Sequence, residues 1–260
     1  MQDSFSGLYA RALAELKKNL PEFSWEQEQV PPGPIPVTNT TAASITGLID
    51  HTALKPGTTA ATIKQLCAEA LDYHFYSVCV PPCRVQLAAG YLSGREVKVC
   101  TVIGFPHGTA TKLVKVTEAV EAVARGADEV DMVLNLGALK ERNLRLVWEE
   151  IQAVKEGIGP GRILKVILET SLLNEEEKVL AALIAVKAGA DLVKTSTGFA
   201  GGGATVDDVT LLRRTVGSSV GVKASGGIRD LATALAMVRA GASRLGTSSG
   251  VQIARELTAR

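Results

Sequence analysis

The sequence predicts an α/β protein in which eight parallel strands close into a single (β/α)8 barrel. From Ile45 onward, short apolar runs alternate with amphipathic segments, which is the pattern of a parallel sheet covered by helices. The length of 260 residues suits one such barrel. The alternation alone also allows an open doubly wound sheet. The predicted strands are 48–51, 76–80, 98–103, 129–133, 163–168, 192–195, 220–224 and 244–246.

Six amphipathic segments between these strands are predicted to be the outer helices of the barrel. They cover residues 59–73, 113–125, 144–157, 174–188, 206–214 and 231–240. Segments 125–131, 188–194 and 240–246 resemble one another, because in each a glycine ends a helix and a short turn leads into a strand. The residues five positions after these glycines are expected at equivalent depths: Asp131, Lys194 and Gly246.

Residues 1–44 are interpreted as an N-terminal extension of a barrel domain that spans residues 45–260. Apolar residues recur at helical spacing from Phe5 to Leu20, which predicts one amphipathic helix. The proline-rich segment 30–36 then predicts a stiff spacer without regular structure. We expect the helix to cover the floor of the barrel or to contact another subunit.

The composition argues against several classes of protein. The net charge of +1 gives no electrostatic reason to expect nucleic acid or an acidic membrane as a partner. The sequence shows no signal peptide and no run of about 18 apolar residues, so we expect a soluble, cytoplasmic protein. The four cysteines do not resemble a disulfide framework, and Cys79 and Cys83 lack a second ligand pair for structural zinc.

Polar residues are concentrated where the predicted strands end, and active sites of (β/α)8 barrels lie at that edge. Lys194 and Lys223 each follow apolar residues and precede small ones. On consecutive strands their backbones would lie roughly 5 Å apart. An amine beside another cation in a dry pocket has a lowered pKa, as a Schiff-base lysine requires. Alternatively, either lysine pairs with a carboxylate or extends to solvent. The polar residues at strand ends are Asp50, Asp131, Glu169, Lys194, Lys223 and 246–249.

Lys165 and Asp131 lie within apolar runs of neighbouring predicted strands. Period-two alternation places Lys165 on the same face as Ile163, Ile167 and Glu169. Asp131 could neutralise Lys165, and a structural ion pair fits the sequence as well as a catalytic role does. Asp131 could also transfer protons to a carbon acid once an iminium withdraws electrons, and both roles of Asp131 can coexist.

Glycine-rich segments follow the last three predicted strands, at 198–203, 226–227 and 246–250. Loops after strands seven and eight form the usual phosphate site of these barrels, where backbone N–H groups hold the anion. Neither G-x-x-x-x-G-K-[ST] nor G-x-G-x-x-G occurs, so nucleotide-binding folds are not indicated. The glycine pattern therefore predicts a phosphate site.

Seven motifs follow one another over roughly residues 45–250: IDHT at 49–52, VCVP at 78–81, EVDMV at 129–133, LKVILET at 164–170, VKTSTG at 193–198, VKASGGI at 222–228 and GTSS at 246–249. This ordered set resembles the deoxyribose-phosphate aldolases, a family of class I aldolases. The resemblance implies reversible cleavage of 2-deoxy-D-ribose 5-phosphate to D-glyceraldehyde 3-phosphate and acetaldehyde, without metal or cofactor. It also implies a homo-oligomer, either a dimer or a tetramer.

The resemblance assigns roles to individual residues. Lys194 would be the Schiff-base lysine, Lys223 would lower its pKa and join a proton relay, and Asp131 would exchange protons with the substrate through water. In some family members a phosphate-facing lysine stands where this chain has Phe199, so tolerance of unphosphorylated aldehydes is a hypothesis. The substrate-binding residues implied are Asp50, Cys79, Lys165, Thr195, Gly198, Gly226, Gly227, Gly246, Ser248 and Ser249.

Two alternatives to this function are considered. Another Schiff-base barrel, such as a transaldolase or a hexose-bisphosphate-type aldolase, shares the lysine chemistry but has a different motif order. A non-catalytic barrel that senses sugar phosphates has no need for Lys194, Lys223 and Asp131 together.

Overall fold

A computed structural model describes residues 4–23 and 45–259 of the protein. Eight parallel strands pair in sequence order, and β8 closes the barrel against β1. The closed order excludes the open doubly wound sheet. The strands are β1 (Ile49–Thr52), β2 (Ser77–Val80), β3 (Lys98–Ile103), β4 (Glu129–Val133), β5 (Ile163–Ile167), β6 (Leu192–Lys194), β7 (Gly221–Ser225) and β8 (Arg244–Thr247).

Helices surround this barrel and follow the strands in the order that the sequence predicts. They are α1 (Phe5–Asn19), α2 (Ala60–Asp72), α3 (Val85–Tyr91), α4 (Lys112–Ala124), α5 (Leu136–Lys140), α6 (Leu144–Ile158), α7 (Glu175–Lys187), α8 (Val206–Val216), α9 (Leu231–Arg239) and α10 (Gly250–Thr258). Helices α3, α5 and α10 were not predicted. With seven and five residues, α3 and α5 are too short for a helical period to stand out from the flanking loops. Helix α10 is as long as the predicted helix α9, so length does not explain why it was missed.

The N-terminal helix α1 is confirmed, and it packs against the outer helices α6 and α7. Its first turn is capped by Ser4, whose side chain accepts a hydrogen bond from the backbone N–H of Gly7. Arg11 forms an ion pair with Glu176 at the start of α7, with 3.0 Å between Nε and Oε2. The helix therefore covers the side of the barrel, so the expectation that it covers the floor was wrong. Contact with another subunit stays a prediction.

The structure bears on the expectations about the cysteines and about membrane-spanning segments. All four cysteines are free, with Cys83 exposed and the other three buried. Between residues 4 and 23 and between 45 and 259, no helix is both long and apolar enough to cross a membrane. The predicted proline-rich spacer at 30–36 lies outside the described residues.

Candidate active site

The carboxyl ends of the strands open into a cavity of about 580 Å³. Lys194 borders this cavity at the end of β6, together with predicted residues of all three glycine-rich segments. A pocket of this volume suits a small ligand. The predicted residues that line the cavity are Lys194, Gly198, Gly226, Gly227, Gly246, Ser248 and Ser249.

The two lysines singled out in the sequence lie side by side. Lys194 of β6 and Lys223 of β7 are partners in the strand register, which confirms their predicted proximity. Both ammonium groups contact the same atom, Oδ2 of Asp131, at 2.8 Å each. The nitrogen atoms therefore lie within twice that distance of each other, and both lysines are buried. Neither side chain extends into bulk solvent, but each pairs with a carboxylate, which is the other form of the alternative interpretation.

Lys223 has a second carboxylate partner and retains its proton. Its Nζ lies 2.5 Å from Oδ2 of Asp50 as well as 2.8 Å from Asp131. Burial lowers the pKa of the Lys223 ammonium, but the two carboxylates raise that pKa by more than burial lowers it. The net pKa therefore lies above the usual value for lysine. Lys223 is therefore a fixed cation beside Lys194, and not a second neutral amine.

Lys165 lies deeper in the barrel and is also enclosed by carboxylates. Its Nζ lies 2.7 Å from Glu129 Oε2 and 2.7 Å from Asp131 Oδ1. Burial lowers the pKa of Lys165, yet the nearby anions raise it well above the usual value, with Asp131 the largest contributor. The ion pair with Asp131, one of the two interpretations left open, is thus present. Lys165 does not border the cavity.

Asp131 is the centre of the cluster, because all three interior lysines contact it. Burial raises the pKa of the Asp131 carboxyl, but the three ammonium groups hold that pKa well below its usual value. Asp131 is therefore ionised at neutral pH. It accepts a further hydrogen bond from the thiol of Cys100 at 3.2 Å.

Arg244 and Glu129, which the sequence interpretation did not include in the site, complete the cluster at the amino ends of the strands. Arg244 donates to Asp50 Oδ1 at 2.5 Å and to Glu129 Oε1 at 2.7 Å. Its guanidinium carbon lies 3.3 Å from the ring centroid of Tyr76. Both residues are the first of their strands, whereas the sequence analysis considered polar residues at the carboxyl ends only. Period-two alternation could have identified them, because Glu129 shares a face with Asp131 and Arg244 shares a face with Gly246.

The cations of this cluster differ in how many carboxylates they contact. The cluster contains the cations Lys165, Lys194, Lys223 and Arg244 and the carboxylates Asp50, Glu129 and Asp131. Lys165, Lys223 and Arg244 each lie within 3 Å of two carboxylates, whereas Lys194 has close contact with Asp131 alone. A buried charge without full compensation is costly. Lys194 is therefore the least compensated cation of the cluster.

Four predicted substrate-binding residues do not border the cavity: Asp50, Cys79, Lys165 and Thr195. Asp50 and Lys165 belong to the charge cluster below it. Thr195 joins β6 to β7 instead, because its Oγ1 donates to the Ser225 carbonyl at 3.2 Å and accepts from the Ser225 N–H at 3.1 Å. Cys79 packs with Cys100 and Val102 in a small buried cluster.

The loops that surround the cavity are held by close backbone contacts. A Cβ at Gly246 would lie 2.9 Å from Ser225 Cβ and 3.0 Å from Lys223 Cε, so only glycine leaves room for the lysine beneath. Glu169, at the end of β5, accepts from the backbone N–H of Thr197 at 3.1 Å and from its hydroxyl. This fixes the loop that leads to Phe199, whose half-exposed ring meets Phe105 edge to face at 5.3 Å.

Two cations at the cavity were missed by the sequence analysis, Lys55 and Arg229. Both lie outside the predicted strands, in loops where the sequence shows no pattern that separates a ligand-facing cation from a solvated one. In the part of the chain that the structure describes, neither forms an ion pair. Their charges favour an anion in the cavity.

One set of described side chains has donor atoms close enough to share a metal ion: Cys79, Cys100 and Asp131, within 4.8 Å of one another. Lys165 already donates to two of these groups, at 3.3 Å to Cys100 Sγ and at 2.7 Å to Asp131 Oδ1. A cation there would have to displace or oppose that ammonium, so the donor set does not fit a metal.

A (β/α)8 barrel with a buried lysine that borders a cavity rich in cations has the arrangement that a Schiff-base aldolase requires. Residues 45–257 match the profile of the DeoC/LacD family aldolases. The chain belongs to this family.

Individual relatives agree with this assignment. Deoxyribose-phosphate aldolase 1 of Bacillus licheniformis is 58% identical over 83% of this chain and 96% of its own length. The deoxyribose-phosphate aldolase of Brevibacillus brevis is 60% identical over 79% of this chain and 92% of its own. The solved tetrameric deoxyribose phosphate aldolase of Aeropyrum pernix superposes with a TM-score of 0.77 at 32% identity, covering 95% of this chain and 97% of that one.

Proposed function

We propose that this aldolase cleaves 2-deoxy-D-ribose 5-phosphate reversibly to D-glyceraldehyde 3-phosphate and acetaldehyde. The observation that carries the proposal is the position of Lys194, which among the residues that the structure describes is the one interior cation that both borders the cavity and has a single close carboxylate. The names of its relatives in Bacillus licheniformis and Brevibacillus brevis support the substrate.

The reaction begins with the neutral Nζ of Lys194, which attacks the C1 aldehyde carbon of the open-chain sugar. Loss of water from the carbinolamine gives an iminium ion between Nζ and C1. The C3 hydroxyl then loses its proton, the C2–C3 bond breaks, and its electron pair moves to the iminium to give an enamine. Glyceraldehyde 3-phosphate is released with C3 as its new aldehyde. Protonation at C2 and hydrolysis of the imine release acetaldehyde.

Asp131 and Lys223 are proposed to manage the protons of these steps. Asp131 accepts protons through a bound water, and its contacts with three ammonium groups return it to the ionised form after each transfer. Lys223 has its ammonium 2.8 Å from the same carboxylate oxygen as Lys194 and opposes a positive charge on Lys194. Lys165 and Asp50 hold these two residues in place.

The substrate phosphate is proposed to bind where the glycine-rich loops meet the cations of the cavity. Backbone N–H groups near Gly227 and Ser249 precede helices α9 and α10, and Arg229 adds a positive charge. Arg229 and Lys55 could offset the absence of a lysine at Phe199. We keep tolerance of unphosphorylated aldehydes as a hypothesis, which the ratio of KM values for deoxyribose and its 5-phosphate tests; a ratio as large as in lysine-bearing relatives would reject it.

We also propose that the protein is a cytoplasmic homo-oligomer. The solved relative from Aeropyrum pernix is tetrameric by its description, which supports an oligomer without fixing the number of subunits.

Product analysis tests the proposed function. Purified protein incubated with 2-deoxy-D-ribose 5-phosphate should release acetaldehyde and glyceraldehyde 3-phosphate in equal amounts, and a Lys194→Ala variant should release neither. Transfer of a dihydroxyacetone unit from another sugar phosphate to an acceptor aldehyde, without acetaldehyde from this one, would favour a transaldolase-type reaction. Saturable binding of the sugar phosphate without products would favour a non-catalytic sensor.

A further inference from the structure

Glu169 lies directly after β5 as an extra residue between two backbone hydrogen bonds to β6. The N–H of Leu168 donates to the carbonyl of Lys194, and the N–H of Thr170 donates to the carbonyl of Thr195, at 2.9 Å each. One residue thus separates the donors whereas the acceptors are consecutive, as in a β-bulge. The φ of Glu169 is 54°, in the left-handed region that is uncommon for residues other than glycine. The bulge turns the Glu169 side chain toward the loop after β6.

The carboxylate of Glu169 is buried and holds Thr197. The residue is 2% exposed. Its Oε2 accepts from the backbone N–H of Thr197 at 3.1 Å and from the Thr197 hydroxyl, whereas its Oε1 has no hydrogen-bond partner among residues 4–23 and 45–259. Because the hydroxyl donates to Glu169, Thr197 Oγ1 is left as an acceptor, and it binds the N–H of Phe199 at 3.1 Å. A chain of hydrogen bonds therefore runs from the end of β5 to Phe199.

The turn formed by Thr197, Gly198 and Phe199 borders the cavity. Gly198 has a φ of 82°, in the left-handed region that glycine adopts without steric cost. The N–H groups on either side of it, those of Thr197 and Phe199, are bound within this chain. The N–H of Gly198 has no partner in the part of the chain that the structure describes, so it can donate to a ligand. Backbone N–H groups in turns bind anions.

The loop after β8 repeats this arrangement with one difference. Thr247 Oγ1 accepts from the N–H of Ser249 at 2.9 Å and donates to the carbonyl of Ile228 at 2.7 Å. Each threonine thus binds the N–H two residues further on and donates to a neighbouring loop. The acceptor for Thr247 is a backbone carbonyl, whereas the acceptor for Thr197 is the side chain of Glu169. The geometry of the turn after β6 therefore depends on one replaceable side chain.

We propose that Glu169 is a positioning residue for the substrate phosphate: it holds Thr197 so that the turn after β6 presents the N–H of Gly198 to the anion. The proposal rests on the proposed function and adds a residue that the reaction steps do not use. Glu169 does not line the cavity, so it acts through Thr197 and not on the substrate itself.

The test measures phosphate binding in variants of Glu169. Glu169→Ala removes both hydrogen bonds to Thr197, and the Kd for inorganic phosphate, measured by titration calorimetry, should rise about tenfold, as for one lost hydrogen bond to a charged group. The kcat/KM for deoxyribose 5-phosphate should fall by a similar factor relative to that for unphosphorylated deoxyribose. Glu169→Gln should stay close to the wild type, because one amide oxygen can accept both bonds that Oε2 accepts.

Glu118→Ala is the matched control for the loss of a carboxylate that anchors a loop. Glu118 Oε2 accepts from the N–H of Gly104 at 2.7 Å, in the loop after β3, and Gly104 does not line the cavity. The Kd for phosphate in Glu118→Ala should equal that of the wild type. An equal rise in Glu118→Ala and Glu169→Ala, or an unchanged Kd in Glu169→Ala, would overturn the proposal. Tighter phosphate binding in both Glu169 variants would show that the carboxylate acts by its charge, which also overturns it.

A double variant tests whether Glu169 acts through Thr197. Glu169→Ala/Thr197→Val should bind phosphate no more weakly than the weaker single variant, since both changes break the same chain of hydrogen bonds. Additive losses would overturn the proposal. If Glu169→Ala does not fold, Thr197→Val decides, because an unchanged Kd there contradicts the account, as does a wild type that binds no phosphate. Phosphate binding is measured without turnover, so failure of the wild type to release acetaldehyde rejects the proposed function separately.

Discussion

The two ends of the barrel interior contain the same kinds of charged side chain but differ in how those charges are compensated. At the closed end, Arg244 and Lys165 each contact two carboxylates, and neither borders the cavity. At the open end, Lys194 contacts one carboxylate and borders the cavity. The comparison teaches that a buried lysine becomes a candidate nucleophile when it has few carboxylate partners and when a ligand can reach it. Burial alone does not distinguish Lys194 from Lys165.

The largest effect on activity is expected at Lys223, which lies between the two ends of the barrel interior. Lys223→Leu removes the cation that lies beside Lys194 and contacts Asp131, and it should lower kcat about 10²-fold or more. Steady-state kinetics with deoxyribose 5-phosphate measures the effect, with far-ultraviolet circular dichroism to confirm the fold. Near-normal kcat in a folded variant would contradict the role of Lys223.

A second effect concerns stability and compares the two ends directly. Lys165→Met leaves Glu129 and Asp131 each short of a buried partner, and it should cost about 3–5 kcal/mol of unfolding free energy. Lys194→Met removes the least compensated cation, so it should change stability by about 1 kcal/mol or less. Urea denaturation of both variants measures the difference. Equal losses of unfolding free energy in the two variants would show that the charge of Lys194 is as fully compensated as that of Lys165.

The smallest effect is expected at the rim of the cavity, where side chains are exposed. Phe199→Lys places a cation on the loop after β6 and should lower KM for the phosphorylated sugar about fivefold, as for one partly screened ion pair of about 1 kcal/mol. KM for unphosphorylated deoxyribose should stay unchanged, which serves as the control. A parallel fall in both KM values would place the phosphate elsewhere.

Much of the fold was predictable, because hydrophobic periodicity and glycine-ended helices recur along the chain. Strands β3 and β4 have the predicted bounds, and the other strands differ by one or two residues at most. The contacts that the sequence could not supply are those across the barrel. Arg244 and Asp50 come from opposite ends of the barrel sequence, and no local pattern indicates that one carboxylate serves both Arg244 and Lys223.

The same limit applies to the candidate site. The sequence predicted the proximity of Lys194 and Lys223, which depends only on strand order and phase. It did not predict that Lys223 would be held protonated by Asp50 and Asp131, since that depends on side-chain distances across several strands. It also did not predict that the Thr195 hydroxyl binds the Ser225 backbone, and the substrate-binding role of Thr195 stays a prediction.

The most direct test of the central claim is to trap the intermediate. The wild-type protein is incubated with deoxyribose 5-phosphate, reduced with borohydride, digested, and mapped by peptide mass. One reduced adduct is expected, on the peptide that contains Lys194, and none in Lys194→Ala. An adduct on Lys223 or Lys165, or no adduct while acetaldehyde is being released, would contradict the account.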